Sequence, residues 1–167
     1  IPHIISVYGT VMPIKEICAY AREKGIFTVI DGAQSIGQID VDLKDLNCDA
    51  YYSSLHKWFL SPPGSGLLYL DKSISSDMWP TLSSYNWDNK DDKGFALQQS
   101  GTGNPSLRVG LEASIDFFNM IGKERWLGRV KELGKYLRDG LKELPNVEIV
   151  SSYNEDLCAG LTTYKVK

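Results

Sequence analysis

The chain has 167 residues, of which 43% are hydrophobic and 23% charged, the composition of a globular protein large enough to bury a core. Its formal net charge of −3 leaves no basic face to neutralise phosphates, so we expect no nucleic-acid partner. No apolar run is long enough to span a bilayer, and we expect no membrane partner.

The first part of the sequence predicts a strand, a helix and a second strand. Ile4–Val7 is a short strand-like run, and Pro13 suits the first turn of a helix whose apolar residues recur at helical spacing. Lys24-Gly25 closes that helix with a cation and then a glycine. Ile26–Ile30 has the β-rich apolar composition of a strand buried in a parallel sheet.

Two further strands follow. Asp49–Ser54 is strand-like, and the order strand, helix, strand, crossover, strand predicts a mostly parallel α/β sheet. Gly66–Leu70 is the next strand-like run, and only eleven residues separate it from Ser54. That is short for a parallel crossover with its own helix, so we expect this strand to run antiparallel to its neighbour.

The remainder predicts an irregular stretch, two helices and a strand. Residues 71–101 are polar and aromatic with little periodicity, apart from a brief helical piece near Met78. One helix starts at 104–106 and runs to about Ile121; a second carries an apolar stripe from Trp126 to Leu144. Val147–Val150 then begins a new strand, which we interpret as the opening of a second domain.

Polar groups that suit one kind of cofactor follow two of the predicted strands. Asp31 ends one apolar strand, and His56 and Lys57 lie just past another, at the strand ends where open α/β sheets bind ligands. A lysine that forms an imine with an aldehyde must reach its neutral amine, which partial burial favours. A carboxylate facing a pyridine nitrogen keeps that nitrogen protonated, so the ring can accept electrons. Gln34 is placed to contact a ring oxygen, and Ser54 and His56 to contact a phosphate.

Three segments carry a family resemblance: Asp31-Gly-Ala-Gln34, Ser54-Leu-His-Lys-Trp58 and Pro63-Gly-Ser-Gly-Leu-Leu-Tyr69. In this order and separation they resemble the class V aminotransferase group of fold-type I enzymes dependent on pyridoxal 5'-phosphate (PLP). The group includes isopenicillin N epimerase-like proteins, cysteine desulfurases and selenocysteine lyases. Trp58 resembles the epimerase-like branch more than the desulfurase branch. The lead-in from His3 to Pro13 is similar too, so the resemblance extends over nearly the whole chain.

The resemblance implies a role for each candidate residue. Lys57 would be the catalytic Schiff-base lysine and Asp31 the partner of the pyridinium nitrogen. Gln34 would contact the ring hydroxyl, and Ser54 and His56 the phosphate. The segment at Gly101-Thr102 resembles one that reaches the phosphate of a neighbouring subunit's cofactor, so Thr102 would imply a homodimer with shared active sites. The substrate would be an amino acid.

The resemblance also implies the architecture: an α/β fold in which a three-layer, mostly parallel sheet forms the fold-type I major domain, truncated at both ends. Residues 1–122 would be the C-terminal half of the PLP-binding domain. Residues 123–167 would be a connecting helix and the start of a smaller α+β domain. The family's phosphate cradle, the residue stacked on the cofactor ring and the substrate-binding arginine have no counterpart in this sequence.

Alternatives remain at this point. The reaction could be epimerisation, β-elimination or transamination, and the protein could be cysteine desulfurase-like or selenocysteine lyase-like instead of epimerase-like. The chain could instead be a non-catalytic remnant that cannot hold PLP alone. A small nucleotide-binding domain is disfavoured, because no glycine-rich turn follows the first strand. The three cysteines, Cys18, Cys48 and Cys158, are odd in number and widely spaced, which favours buried reduced thiols in a cytoplasmic protein over disulfides or a metal site.

Overall fold

The computed structural model describes all residues, 1–167, and contains thirteen helices and strands. The strands are β1 (Ile4–Ile5), β2 (Thr10–Val11), β3 (Val29–Asp31), β4 (Ala50–Ser54), β5 (Gly66–Leu70), β6 (Val147–Ile149) and β7 (Tyr164–Val166). The helices are α1 (Ile14–Glu23), α2 (Leu43–Leu46), α3 (Lys72–Ser75), α4 (Lys93–Gln98), α5 (Ser106–Ile121) and α6 (Lys123–Lys142).

The central sheet has the order β3-β4-β5 and is mixed. β3 and β4 run parallel, with Asp31 in register with Tyr52. β5 pairs antiparallel with β4, from Ser54 opposite Gly66 onward, which confirms the orientation predicted from the short connection. The first three residues extend the sheet beyond β3, since the His3 amide donates to Asp31 O at 2.8 Å. At the edge where β3 and β4 end, strand-like backbone therefore lies on both sides: residues 1–3 beside β3, and β5 beside β4.

One face of this sheet carries the core of the chain. Helices α1 and α2 pack against it through six buried residues: Ile14, Cys18, Ile30, Leu46, Cys48 and Tyr51. All three cysteines are buried and free, as the sequence predicts. The opposite face, with Val29, Tyr52 and Leu68, is largely exposed in this chain.

The predicted buried strand at Ile26–Ile30 is wrong in extent and in burial. β3 begins only at Val29, and Ile26 and Phe27 are 57% and 49% exposed. The Ile26 amide donates to Ala21 O at 2.8 Å, so this residue completes the end of α1 instead of joining the sheet. Apolar composition identified a strand here but did not indicate which side chains the rest of the chain covers.

The stretch between β5 and α5 contains two short helices, α3 and α4, instead of one near Met78. Each begins after an aspartate that caps it: the Asp71 carboxylate accepts the Ser73 amide, and the Asp92 carboxylate accepts the Phe95 amide. An aspartate at the N-cap satisfies a backbone donor that the first helical turn leaves free. These two caps, not the weak apolar periodicity, set where the helices lie.

The last two helices meet at Gly122, whose φ of +89° breaks the helical path between them. The segment after it packs back on the loop that follows β3, because Trp126 Nε1 donates to Gly37 O at 3.0 Å. β6 and β7 form a separate antiparallel pair. A division into domains at residues 1–122 and 123–167 stays a prediction. None of the helices has both the length and the apolar character needed to cross a membrane.

His3 should make the stability of the fold dependent on pH. It is 5% exposed, its Nδ1 lies 3.1 Å from the Tyr51 hydroxyl, and burial lowers its pKa to about 4. The unfolded chain, with an ordinary histidine pKa near 6.5, therefore takes up a proton that the folded chain rejects. We expect the free energy of unfolding to fall by roughly 2 kcal/mol from this residue as the pH drops from about 6.5 to 4.

Urea unfolding of the wild type and of His3→Gln, at several pH values between 7 and 4, measures this contribution. Acidic groups present in both proteins change the free energy of unfolding with pH by the same amount in each. The difference between the two pH dependences therefore belongs to His3. Parallel pH profiles for the two proteins would contradict the expected contribution.

Candidate active site

Asp31 and Ser54 are the last residues of two adjacent parallel strands, so both lie at one edge of the sheet. The loop after Asp31 and the loop that carries Lys57 leave the sheet from this same edge. Carboxyl ends of parallel strands are where open α/β sheets form their ligand crevices. The structure thus brings these candidate residues to one edge although 26 positions separate Asp31 from Lys57 along the chain.

The two loops are joined by a side-chain hydrogen bond. Trp58 Nε1 donates to Gln34 Oε1 at 2.9 Å, which links the loop after Asp31 to the residue that follows Lys57. The backbones are also in close contact: at Gly37, whose φ is +90°, a Cβ would lie 2.5 Å from Trp58 O. Only glycine suits that position, because both the conformation and the space exclude a side chain.

The hydrogen bond with Trp58 also orients the Gln34 amide. Its Oε1 is occupied as an acceptor, and its backbone oxygen accepts from Gln38 Nε2 at 2.6 Å. The Gln34 Nε2 group makes no hydrogen bond within the chain and remains a free donor. Gln34 is therefore set to donate to an oxygen of a ligand.

The backbone beneath Asp31 is closely packed. The Gly32 amide donates to Tyr52 O at 2.7 Å, and Ser53 Oγ donates to Gly32 O at 2.8 Å. A Cβ at Gly32 would overlap the ring of Tyr51, a fully buried residue whose pKa burial raises to about 12. The turn after Asp31 consequently rests on a rigid, un-ionised side chain.

Lys57 and His56 lie on the exposed part of the second loop. The Lys57 side chain makes no hydrogen bond or ion pair, and it is exposed, so the partial burial expected from the sequence is wrong for this chain. His56 Nδ1 lies 3.3 Å from Ser65 O, which favours a proton on Nδ1 and leaves Nε2 free to face a ligand. Ser54 is partly buried, and its hydroxyl also has no partner.

Thr102 makes no hydrogen bond to the other candidates. It lies in an exposed loop between α4 and α5, and its side chain makes no hydrogen bond in the chain. The start of α5 contacts the loop after Lys57, since a Cβ at Gly110 would overlap the ring of Pro62. A role for Thr102 in phosphate binding stays a prediction.

A cavity of about 980 Å³ overlaps the candidate residues only in part. It lies between the exposed face of β4 and β5 and the start of α4, and Ser54 and Tyr52 line it together with Lys93. Asp31 and Lys57 are not among its lining residues. We locate the site by the two joined loops, because they hold the reactive groups.

Sequence reasoning used Trp58 only as a marker of one family branch, and the structure gives it a contact. An indole N–H needs a hydrogen-bond acceptor when it is partly buried. The side-chain amide of Gln34, three positions after Asp31, supplies that acceptor. Because the two loops are predicted to converge, this need for an acceptor would have indicated the pair of Trp58 and Gln34 from the sequence.

Comparison with known proteins assigns the chain to a family. The family model described as aminotransferase class-V matches residues 1–167, and the chain belongs to that family. It is 30% identical over 178 residues to isopenicillin N epimerase of Streptomyces clavuligerus, a match covering 98% of the chain and 45% of that protein. It is 36% identical over 150 residues to putative L-cysteine desulfhydrase 1 of Oryza sativa subsp. japonica, covering 83% and 30% respectively.

A solved structure gives the fold. The cystine C–S lyase C-DES, in a mutant with glycine covalently linked to its PLP cofactor, superimposes with a TM-score of 0.88 at 26% identity, covering 99% of this chain and 46% of that one. The predicted fold class, a truncated α/β domain of the fold-type I enzymes, is confirmed. The chain spans less than half the length of each of these relatives.

Proposed function

We propose that the protein carrying this chain is a PLP-dependent enzyme that acts on an amino acid. Membership of the aminotransferase class-V family supports this, as does the close likeness to a PLP-bound lyase. The single observation that carries the proposal is the hydrogen bond between Gln34 and Trp58, because it joins the loop of Asp31 to the loop of Lys57.

The donor set at the sheet edge fits the groups of PLP. The Lys57 amine suits the aldehyde, the Asp31 carboxylate suits the protonated ring nitrogen, and the Gln34 amide donor suits the ring oxygen. These three are not engaged with competing charged partners, since none of them takes part in an ion pair. When bound, PLP supplies an electron-accepting ring next to the substrate nitrogen.

Each residue then has a task of its own. Lys57 Nζ carries the cofactor covalently, and its exposed, unpaired side chain is free to move to the aldehyde carbon. The Asp31 carboxylate holds a proton on the ring nitrogen. Gln34 Nε2 donates to the ring oxygen, with its orientation fixed by Trp58.

Phosphate binding is assigned to Ser54 and His56 in the same subunit. The free Ser54 hydroxyl is one donor, and His56 can donate from Nε2 in its imidazolium form, in which both ring nitrogens carry protons. Thr102 is proposed to serve the phosphate bound by a neighbouring subunit, which makes the enzyme a homodimer with shared sites. Its side chain is exposed and makes no hydrogen bond within the chain, which leaves it available for a role across an interface.

Among reaction types we favour an isopenicillin N epimerase-like activity. A relative of that name matches nearly the whole chain. All three cysteines of the chain are buried, so this segment offers no exposed thiol to accept sulfur as a desulfurase requires. A cysteine desulfurase-like or C–S lyase activity is the second candidate, favoured by the similarity to a desulfhydrase and to C-DES.

The third candidate is a structural remnant that cannot hold PLP by itself. The exposure of Lys57 and the open sheet face favour this for the isolated chain, and not for the full-length protein. We propose a cytoplasmic location, supported by three buried, unpaired cysteines, the state expected in a reducing compartment.

The test is to incubate the full-length protein with PLP, reduce with borohydride and map the modified lysine by mass spectrometry. We expect labelling confined to Lys57. Labelling of other lysines with Lys57 unmodified would overturn the proposal. Repeating the reaction with residues 1–167 alone decides the third candidate: labelling of Lys57 in that segment would contradict the view that it cannot hold PLP.

A further inference from the structure

Tyr52 lies directly beside Asp31 on the exposed face of the sheet. The two residues are in register on parallel strands, and neighbouring strands are only about 4.8 Å apart, so their side chains leave the sheet side by side. The hydrogen bond from the Gly32 amide to Tyr52 O, 2.7 Å long, fixes that register immediately after Asp31. Tyr52 is 42% exposed and belongs to no buried cluster.

The charge of Asp31 favours the protonated form of the Tyr52 hydroxyl, the form that can donate a hydrogen bond. Burial raises the pKa of Tyr52, and the nearby negative charge of Asp31 raises that pKa further. The phenol is therefore protonated throughout the neutral range. The two side chains make no hydrogen bond to each other, so the observation that pairs them is their shared register on β3 and β4.

The carboxylate has room for this donor. Asp31 Oδ1 accepts the Ala33 amide at 2.9 Å, and Oδ2 accepts no hydrogen bond within the chain. The Tyr52 hydroxyl likewise makes no hydrogen bond to any other group. Tyr51, the adjacent tyrosine, points to the opposite face and contacts His3, so it does not compete for the carboxylate.

We infer that Tyr52 is a positioning residue whose hydroxyl holds the Asp31 carboxylate toward the cofactor's ring nitrogen. This inference rests on the proposed function and names a residue outside the set that binds PLP. The competing explanation is that Tyr52 is only part of an apolar face, like its neighbour Leu68, which other segments of the protein cover. In that case its hydroxyl is dispensable.

A double-mutant cycle in the full-length protein separates the two explanations. Tyr52→Phe keeps the ring and removes only the hydroxyl. We expect it to weaken the Kd for PLP about 3- to 10-fold in the wild-type background, the effect of losing one hydrogen bond to a carboxylate. In the Asp31→Asn background the same change should alter the Kd less than about 1.5-fold, because the charged partner is gone.

Tyr69→Phe is the matched control. Tyr69 lies on β5, its hydroxyl is beside Asp71, and it packs on the opposite face against the core cluster. We expect this variant to leave the Kd for PLP unchanged in both backgrounds. Circular dichroism and thermal melting of every variant establish that the fold is retained.

The outcomes distinguish the inference from the function on which it rests. Equal weakening by Tyr52→Phe in both backgrounds, or none in the wild-type background, overturns the inference. If Lys57 nevertheless carries the borohydride-fixed label, the proposed function stands. Absence of PLP at Lys57 in the wild type would overturn the proposed function itself.

Discussion

Replacing Lys57 with alanine is expected to abolish covalent capture of PLP while leaving the fold intact. The side chain is exposed and makes no hydrogen bond or ion pair, so its removal costs the folded state little. Its amine is the group at the joined loops that can bond an aldehyde carbon. Borohydride treatment of full-length Lys57→Ala with PLP should leave no cofactor attached, and the visible absorbance of the bound cofactor should disappear.

Lys44→Ala is the control for this experiment. Lys44 is an exposed lysine in α2 without an ion pair, and its side chain makes no hydrogen bond to either loop. Its variant should retain labelling at Lys57 and the wild-type melting temperature. Retention of a borohydride-fixed cofactor by Lys57→Ala, at the wild-type stoichiometry, would refute the assignment of the lysine.

Much of the fold could be predicted from the sequence where a single geometric rule decides the outcome. The short connection between Ser54 and Gly66 leaves no length for a parallel crossover, and β5 is antiparallel. The rule that parallel strands end at one edge brings Asp31 and Ser54 together. Both statements depend on chain length and strand direction, which the sequence contains directly.

The failures concern features that local pattern does not encode. Ile26 and Phe27 have strand-like composition, yet their burial depends on which segments cover that face. The exposure of Lys57 has the same cause. Helices α3 and α4 were missed because capping aspartates, at Asp71 and Asp92, decide their starts more than apolar periodicity does.

The candidate site shows the same division. The reactive groups were recognisable from their order and residue type, whereas the contacts that orient them were not. The bond from Trp58 to Gln34 and the placement of Tyr52 beside Asp31 join residues 24 and 21 positions apart. Such side-chain contacts follow from the register of two strands and the path of two loops, and neither is visible in a single sequence.

Removing the charge of Asp31 should separate cofactor attachment from catalysis. In full-length Asp31→Ala and Asp31→Asn we expect PLP to remain attachable to Lys57, because the lysine lies on the other loop. Turnover should fall on the order of 10²- to 10³-fold, the usual cost of losing one preorganised electrostatic partner. Without the carboxylate the ring nitrogen loses its proton, and the ring accepts electrons poorly.

The two substitutions differ in a useful way. Asp31 Oδ1 also accepts the Ala33 amide at 2.9 Å, and asparagine preserves this acceptor while alanine does not. If the charge matters, both variants lose similar activity; if only the turn matters, Asp31→Asn retains it and the assignment fails. The rate is measured by NMR in D2O, as the loss of the α-proton signal of the amino acid that the wild type exchanges fastest.

Asp42→Asn provides the matched control for the turn. Asp42 accepts the Lys44 amide at 2.9 Å, the same two-residue spacing as in Asp31 and Ala33, but it caps α2 and makes no hydrogen bond to Gln34, Trp58 or Lys57. This variant should exchange the α-proton at the wild-type rate. Equal losses in Asp42→Asn and Asp31→Asn would assign the effect to backbone structure, whereas a loss confined to Asp31 ties the electron-accepting chemistry to one carboxylate at the end of β3.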